Sequence, residues 1–125
     1  MPYTPEVIDH FEHPRFAGEV EGADVRVRVE NPVCGDILEL TAKCATDGKF
    51  EQVRFRAKGC VPSMAAGSVL TELLTGGSRE IRREDVVRAL GGLSAESMHV
   101  SYLAADAAKA LLEQVRGLRG GSGVR

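Results

Sequence analysis

Four residues of this chain, Cys34, Asp36, Cys60 and His99, have side chains of the kinds that hold soft or borderline metal ions. Cys34 and Asp36 stand in Asn31-Pro32-Val33-Cys34-Gly35-Asp36, a thiol and a carboxylate one glycine apart. Gly35 has no Cβ, so the backbone can turn sharply there. Pro32 fixes φ just before the turn and stiffens the approach. A tight turn would aim both side chains at one point. Cys60 follows Gly59 and precedes Val61-Pro62-Ser63, and His99 stands in Met98-His99-Val100-Ser101. Two thiols, one carboxylate and one imidazole make a plausible tetrahedral metal site. They lie far apart in sequence, so only the fold can bring them together.

Each residue alone has a plainer reading. Asp36 is a common turn residue. Cys60 could be a strand-end cysteine packed on the core, and His99 a surface or capping residue before the last helix. Cys34 is harder to dismiss, because a turn exposes its thiol. Near a helix N-terminus, as at Cys60, the dipole and the unsatisfied N–H groups favour the thiolate, the form that binds metal or accepts sulfur. All four candidates fall at boundaries between elements, where side chains can converge at one end of a sheet. There is no C-x-x-C pair, so spacing alone reaches a possible metal site and no further.

The elements that must position them follow from periodicity. Pro5 to His13 reads as a short helix with Val7, Ile8 and Phe11 on its apolar face, Thr4 as N-cap and Pro14 as its stop. His10 and His13, near its C-terminal end, read as solvated histidines favourable to the helix dipole. Residues 25–30 alternate, with Val25, Val27 and Val29 facing one way. A second strand puts Leu38, Leu40, Ala42 and Cys44 on one face and Glu39, Thr41 and Lys43 on the other, and Asp47-Gly48 supplies a hairpin turn. The third strand turns Val53, Phe55 and Ala57 inward. Cys44 is thereby assigned to the core as a small buried hydrophobe. Helical stripes then run from Pro62 to Thr75, from Arg83 to Leu90 and from about Ser101 to Arg116. Gly117 to Arg125, rich in Gly and Ser with basic residues, reads as a flexible C-terminal tail, which leaves one domain over residues 1–116. Strands followed by helices imply an α+β fold, a three-stranded antiparallel sheet with helices packed on its apolar face.

The 125 residues suffice for one self-sustaining core. A net charge of −2 argues against a general nucleic-acid binder. No apolar run approaches the roughly 20 residues that span a bilayer, and Met1-Pro2-Tyr3-Thr4-Pro5 lacks the regions of a signal peptide. A cytoplasmic protein is expected. Three cysteines, an odd number, disfavour a closed disulfide framework. In a reducing compartment they are more often ligands, nucleophiles or core residues.

The chain resembles the NifU/IscU-type iron–sulfur cluster assembly scaffold family over nearly its whole length. Tyr3 to Arg15 is similar to the family's N-terminal helix and its Asn-Pro-Arg turn, with His13 in the Asn place. Asn31-Pro32-Val33-Cys34-Gly35-Asp36 matches the first ligand motif and Gly59-Cys60-Val61-Pro62-Ser63 the second. Ser68-Val69-Leu70-Thr71-Glu72 fits the helix after it, and Met98 to Ala104 aligns with the third motif, normally His-Cys-Ser-x-Leu-Ala. The resemblance implies the same α+β fold and a scaffold or carrier, not an enzyme. Such a protein takes sulfur from a cysteine desulfurase and iron from a donor, builds a labile [2Fe–2S] cluster, and passes it to apo iron–sulfur proteins. It also implies that Cys34, Asp36, Cys60 and His99 hold the cluster or iron, with zinc possible in the same site. Val100 stands where the third ligand cysteine would be. The Leu-Pro-Pro-Val-Lys chaperone segment is replaced by Leu93-Ser94-Ala95-Glu96-Ser97, which counts against handover through a dedicated Hsp70-type chaperone. Two alternatives stay open: a divergent member holding one zinc or iron ion without building clusters, and, ranked last, a zinc-dependent sulfurtransferase or hydrolase.

Overall fold

Two-residue alternation becomes three antiparallel strands in the computed structural model, which describes residues 3–33, 35–45, 49–77 and 80–124, with side chains as far as residue 117. Cys34 and the Asp47-Gly48 turn lie outside the described residues. Strands β1 (Val25–Glu30), β2 (Ile37–Cys44) and β3 (Phe50–Lys58) are paired in sequence order. Val27, Leu40 and Phe55 form one cross-strand row and Val25, Ala42 and Val53 the next, all buried on one face. The opposite face carries Arg26, Arg28, Glu39 and Arg56. On the far side of β3, residues 16–18 continue the sheet briefly: Phe55 N–H donates to Phe16 C=O and Gly18 N–H to Phe55 C=O.

The described residues also form four helices, α1 (Pro5–Glu12), α2 (Val61–Thr75), α3 (Arg83–Ala89) and α4 (His99–Val124), with a 3-10 turn at Ala95–Ser97 before the last. Helix α2 lies over β3, and α4 lies over β1 and β2; α1 packs on α2, and α3 on α4. Squeezed between the sheet and α1, α2 is buried almost all round, which its small residues Ala65, Ala66, Gly67 and Ser68 permit. Gly67 is the closest approach, because a Cβ there would come 2.4 Å from Cδ2 of Phe55. The α4 stripe is Val100, Leu103, Ala104, Ala107, Ala108, Leu111 and Val115. The helix continues through Val124, past Arg116, but Val115 is the last buried side chain among those described.

Thr4 caps α1 as expected, accepting from Val7 N–H at 3.1 Å. Three other sequence expectations change. His10 is buried, not solvated: its Nδ1 lies 2.7 Å from Ser68 Oγ on α2, and Phe11 is the residue left exposed. The stripe Val7, Ile8, Phe11 is rotated because α1 docks on α2 through a polar contact. The backbone of Arg15 extends that contact, donating to Ser68 Oγ at 2.8 Å and accepting from Thr71 Oγ1 at 3.1 Å. Thr41 is also buried, because the segment before β1 folds over the sheet's outer face and Val20 N–H donates to Thr41 Oγ1 at 2.8 Å. Cys44 is the last residue of β2, beyond a register shift at Lys43/Cys44, and is only half-buried at the rim of the core. No helix among the described residues is long and apolar enough to cross a membrane.

Candidate metal centre

The strand register builds the site. Ile37 pairs with Lys58, so Asp36, one residue before β2, sits beside Gly59, one residue after β3. The loop from β1 to β2 is closed from within. Asn31 N–H donates to Asp36 C=O at 2.8 Å and Gly35 N–H to Asn31 C=O at 2.8 Å, and Asn31 Oδ1 accepts from Val33 N–H at 2.9 Å. Gly35 adopts φ 78°, as its place in the turn anticipates. Val33, at the loop tip, is 94% exposed.

Gly59 allows the two halves to meet. Its φ is 151°, and a Cβ there would lie 2.5 Å from Asp36 Oδ1. The carboxylate therefore packs against a bare Cα, one oxygen toward Gly59 and the other, Oδ2, toward Cys60. Cys60 is the N-cap of α2, in extended conformation, and its carbonyl accepts from Ser63 N–H at 3.0 Å. His99 opens α4, and its Nδ1–H donates to the carbonyl of Glu96 at 3.0 Å in the preceding 3-10 turn. In the neutral ring that bond fixes the tautomer and leaves the Nε2 lone pair facing the site, the usual arrangement of a metal-binding histidine.

Three donor atoms from three element boundaries thus converge. Asp36 Oδ2 lies 3.3 Å from Cys60 Sγ and 3.2 Å from His99 Nε2, and Sγ and Nε2 are 4.0 Å apart. All three fall within 4.8 Å of one another. Asp36 is buried, with 7% exposure, while Cys60 and His99 are half-buried, so the group has one wet side. Burial pushes the Asp36 pKa up, but hydrogen bonds from Ser63, from Cys60 and from His99 in its protonated form, with the charge of that imidazolium, outweigh it and hold the carboxyl below its ordinary range. In their deprotonated forms the carboxylate, thiolate and imidazole present only lone pairs to one another. A shared cation satisfies all three, and one thiolate, one imidazole and one carboxylate are a mixed soft and borderline set that suits zinc or iron.

Of the four residues singled out from the sequence, the structure brings together Asp36, Cys60 and His99, while Cys34 lies outside the described residues. Cys44 is not among the clustered residues. The sequence reading assigned no role to Ser63. Its hydroxyl, 1% exposed, sits 2.5 Å from Asp36 Oδ2 and 3.3 Å from Cys60 Sγ. The signal was present: Ser63 lies three residues after an N-cap, which puts both side chains on one helical turn.

Comparison with known proteins gives a concordant picture. The family model described as the NifU-like N terminal domain matches residues 2–119. The chain is 42% identical over 109 residues to iron-sulfur cluster assembly scaffold protein IscU 1 of Archaeoglobus fulgidus, covering 84% of this chain and 71% of the relative. It is 35% identical over 126 residues to the IscU scaffold protein of Escherichia coli, covering 95% of this chain and 98% of the relative. Among solved structures, a putative iron-sulfur cluster assembly scaffold protein for the SUF system from Fervidobacterium islandicum superposes with TM-score 0.70 at 20% identity, over 90% of this chain and 97% of that one. A NifU-like N-terminal protein from Brucella abortus gives 0.72 at 15% identity, over 92% and 94%. At those identities the two structures speak to the fold, the same α+β arrangement of sheet and helices.

Proposed function

This chain belongs to the NifU-like N-terminal domain family, and from that premise we propose that it is a scaffold, not an enzyme, on which an iron–sulfur cluster is assembled and then released to apo-proteins. The observation that carries this reading is the convergence of Asp36 Oδ2, Cys60 Sγ and His99 Nε2 within 4.8 Å, open on one side. The cargo is a labile [2Fe–2S] cluster. Cys60 and Cys34 hold iron as thiolates, His99 as a neutral imidazole, and Asp36 as the hard, weaker ligand that leaves first. Sulfur comes from a cysteine desulfurase. The exposed loop tip at Val33, one residue from Cys34, supports approach of a donor from that side. The protein works in the cytoplasm, where thiols stay reduced, and its packed unit ends near residue 116.

One observation favours a second reading, in which the site holds a single zinc or iron ion. Val100 replaces the third ligand cysteine of the resemblance, and its side chain is 0% exposed within the apolar core. The two readings separate on iron and acid-labile sulfide retained after anaerobic reconstitution. Matching amounts of both on the wild-type chain support the scaffold. One zinc or iron per chain without sulfide supports the second reading, more so if Val100→Cys then acquires sulfide.

A further inference from the structure

Among the described residues, the three close polar contacts to the Asp36 carboxylate converge on one atom. Oδ2 receives Ser63 Oγ at 2.5 Å, His99 Nε2 at 3.2 Å and Cys60 Sγ at 3.3 Å, while Oδ1 faces the Cα of Gly59. Once Cys60 and His99 ligate a metal, their lone pairs turn to the ion and their claim on Oδ2 ends. The oxygen is then shared by two electrophiles, the metal and the Ser63 hydroxyl proton. A metal withdraws charge from an oxygen it binds, so the same hydrogen bond is weaker in the loaded protein than in the metal-free one. Ser63 therefore stabilises the metal-free state more than the loaded state, and by linkage it lowers the affinity of the site.

The opposite role, a support that holds the ligand in place, is the common one for partners of metal ligands. Here that support is already supplied elsewhere. The Asp36 backbone is fixed by Asn31 N–H at 2.8 Å, and its side chain is wedged against Gly59. Ser63 adds a hydrogen bond to Oδ2 on top of that support, and this bond competes with a metal for the same oxygen. It also has a second partner within reach, Cys60 Sγ at 3.3 Å, toward which the hydroxyl can turn when a metal takes Oδ2.

We propose that Ser63 is a release residue: its hydroxyl competes with the bound metal for Asp36 Oδ2 and so keeps the cargo exchangeable. This deepens the scaffold reading and rests on it. For a carrier, the consequence is a buried carboxylate that never lacks a partner when the metal departs, which removes a penalty from the empty site.

The test uses the full chain and Zn²⁺ alone, comparing wild type, Ser63→Ala and Ser63→Thr. Affinity is read by competition with a chromophoric chelator, and thermal midpoints are taken with and without zinc. Ser63→Ala should bind zinc roughly fivefold more tightly, about the worth of one ordinary hydrogen bond, and release it correspondingly more slowly. Its metal-free form should lose more thermal stability than its loaded form, and a variant that folds only with zinc present is the extreme of the same result. Ser63→Thr, which keeps the hydroxyl, should stay closer to wild type in affinity. Equal stability losses in both forms, with affinity unchanged, would reduce Ser63 to a structural residue and overturn the proposal. Weaker zinc binding by Ser63→Ala would overturn it in the other direction, making Ser63 a support. A wild-type chain that binds no zinc or iron at all would instead remove the metal-site reading beneath it.

Discussion

Gly59→Ala is the perturbation whose effect the geometry specifies most closely. The new Cβ would stand 2.5 Å from Asp36 Oδ1, 2.6 Å from Cγ and 3.1 Å from Cβ. Ordinary contact begins near 3.4 Å, so the carboxylate must retreat by about 0.9 Å. It cannot do so freely, because Asp36 is buried and Oδ2 is held by Ser63 at 2.5 Å and His99 at 3.2 Å. Retreat breaks those bonds, and resistance strains a backbone at φ 151° that L residues rarely adopt. Strain and overpacking together should cost about 2–4 kcal/mol of folding stability, and displacing Asp36 should cost about 10–100-fold in metal affinity. Urea unfolding gives the first quantity and zinc titration against a chelator the second. Gly35→Ala is the matched control. It is also at positive φ, 78°, but a Cβ there meets nothing within 4 Å, so it should lose only about 1 kcal/mol and bind zinc nearly normally. The reasoning fails if Gly59→Ala behaves like Gly35→Ala in both assays.

Three further outcomes are expected. Cys60→Ser should cut bound metal sharply, since it removes a thiolate from the cluster, while Cys44→Ser should leave metal content nearly intact and lower stability slightly; equal metal loss from both would contradict the placement of Cys44 at the core rim. Burial, with the field of Arg15, lowers the His10 pKa, partly offset by Glu72 and Asp9. The unfolded chain therefore takes up that proton more readily, and stability should fall as pH drops below about 6.5 and level off beneath the folded pKa. His10→Gln should flatten that part of the pH profile, and an unchanged slope in urea-melt series would refute it. Ending the chain after Arg116, just past the last buried residue described, Val115, should change neither zinc affinity nor the thermal midpoint by more than the experimental error; a large drop in either would move the domain boundary toward Val124.

Much of this molecule was legible because simple periods dominate it. Val25, Val27, Leu38, Leu40, Val53 and Phe55 alternate inward and are buried, while Val29, Ala57 and Cys44 at the strand ends are only partly so. The Asn31–Asp36 turn and the place of Cys60 near the N-terminus of α2 were readable from Gly35, Pro32 and Pro62, whose backbone preferences are local. Two of the misreadings, at His10 and Thr41, have a common cause, polar side chains whose partners lie distant in sequence, while Cys44 is displaced by the register shift at the end of β2. His10 is buried by Ser68, 58 residues away, and Thr41 by Val20 N–H, 21 residues away. Neither pairing leaves a periodic trace. Ser63 went unassigned for a related reason: its i, i+3 relation to Cys60 was visible, but the carboxylate that gives it meaning arrives from the loop before β2, 27 residues earlier. The requirement for glycine at position 59 was likewise invisible until Ile37 and Lys58 were seen to pair.

The central claim is that Asp36, Cys60 and His99, completed by Cys34, form one metal-binding set. Zinc X-ray absorption of the wild-type chain, loaded with one Zn²⁺ per protein, tests it without any variant. The account predicts two sulfur scatterers at about 2.3 Å and two nitrogen or oxygen scatterers at about 2.0–2.1 Å, with imidazole outer-shell features from a single histidine. A shell made only of nitrogen and oxygen, or one with no imidazole signature, would contradict it.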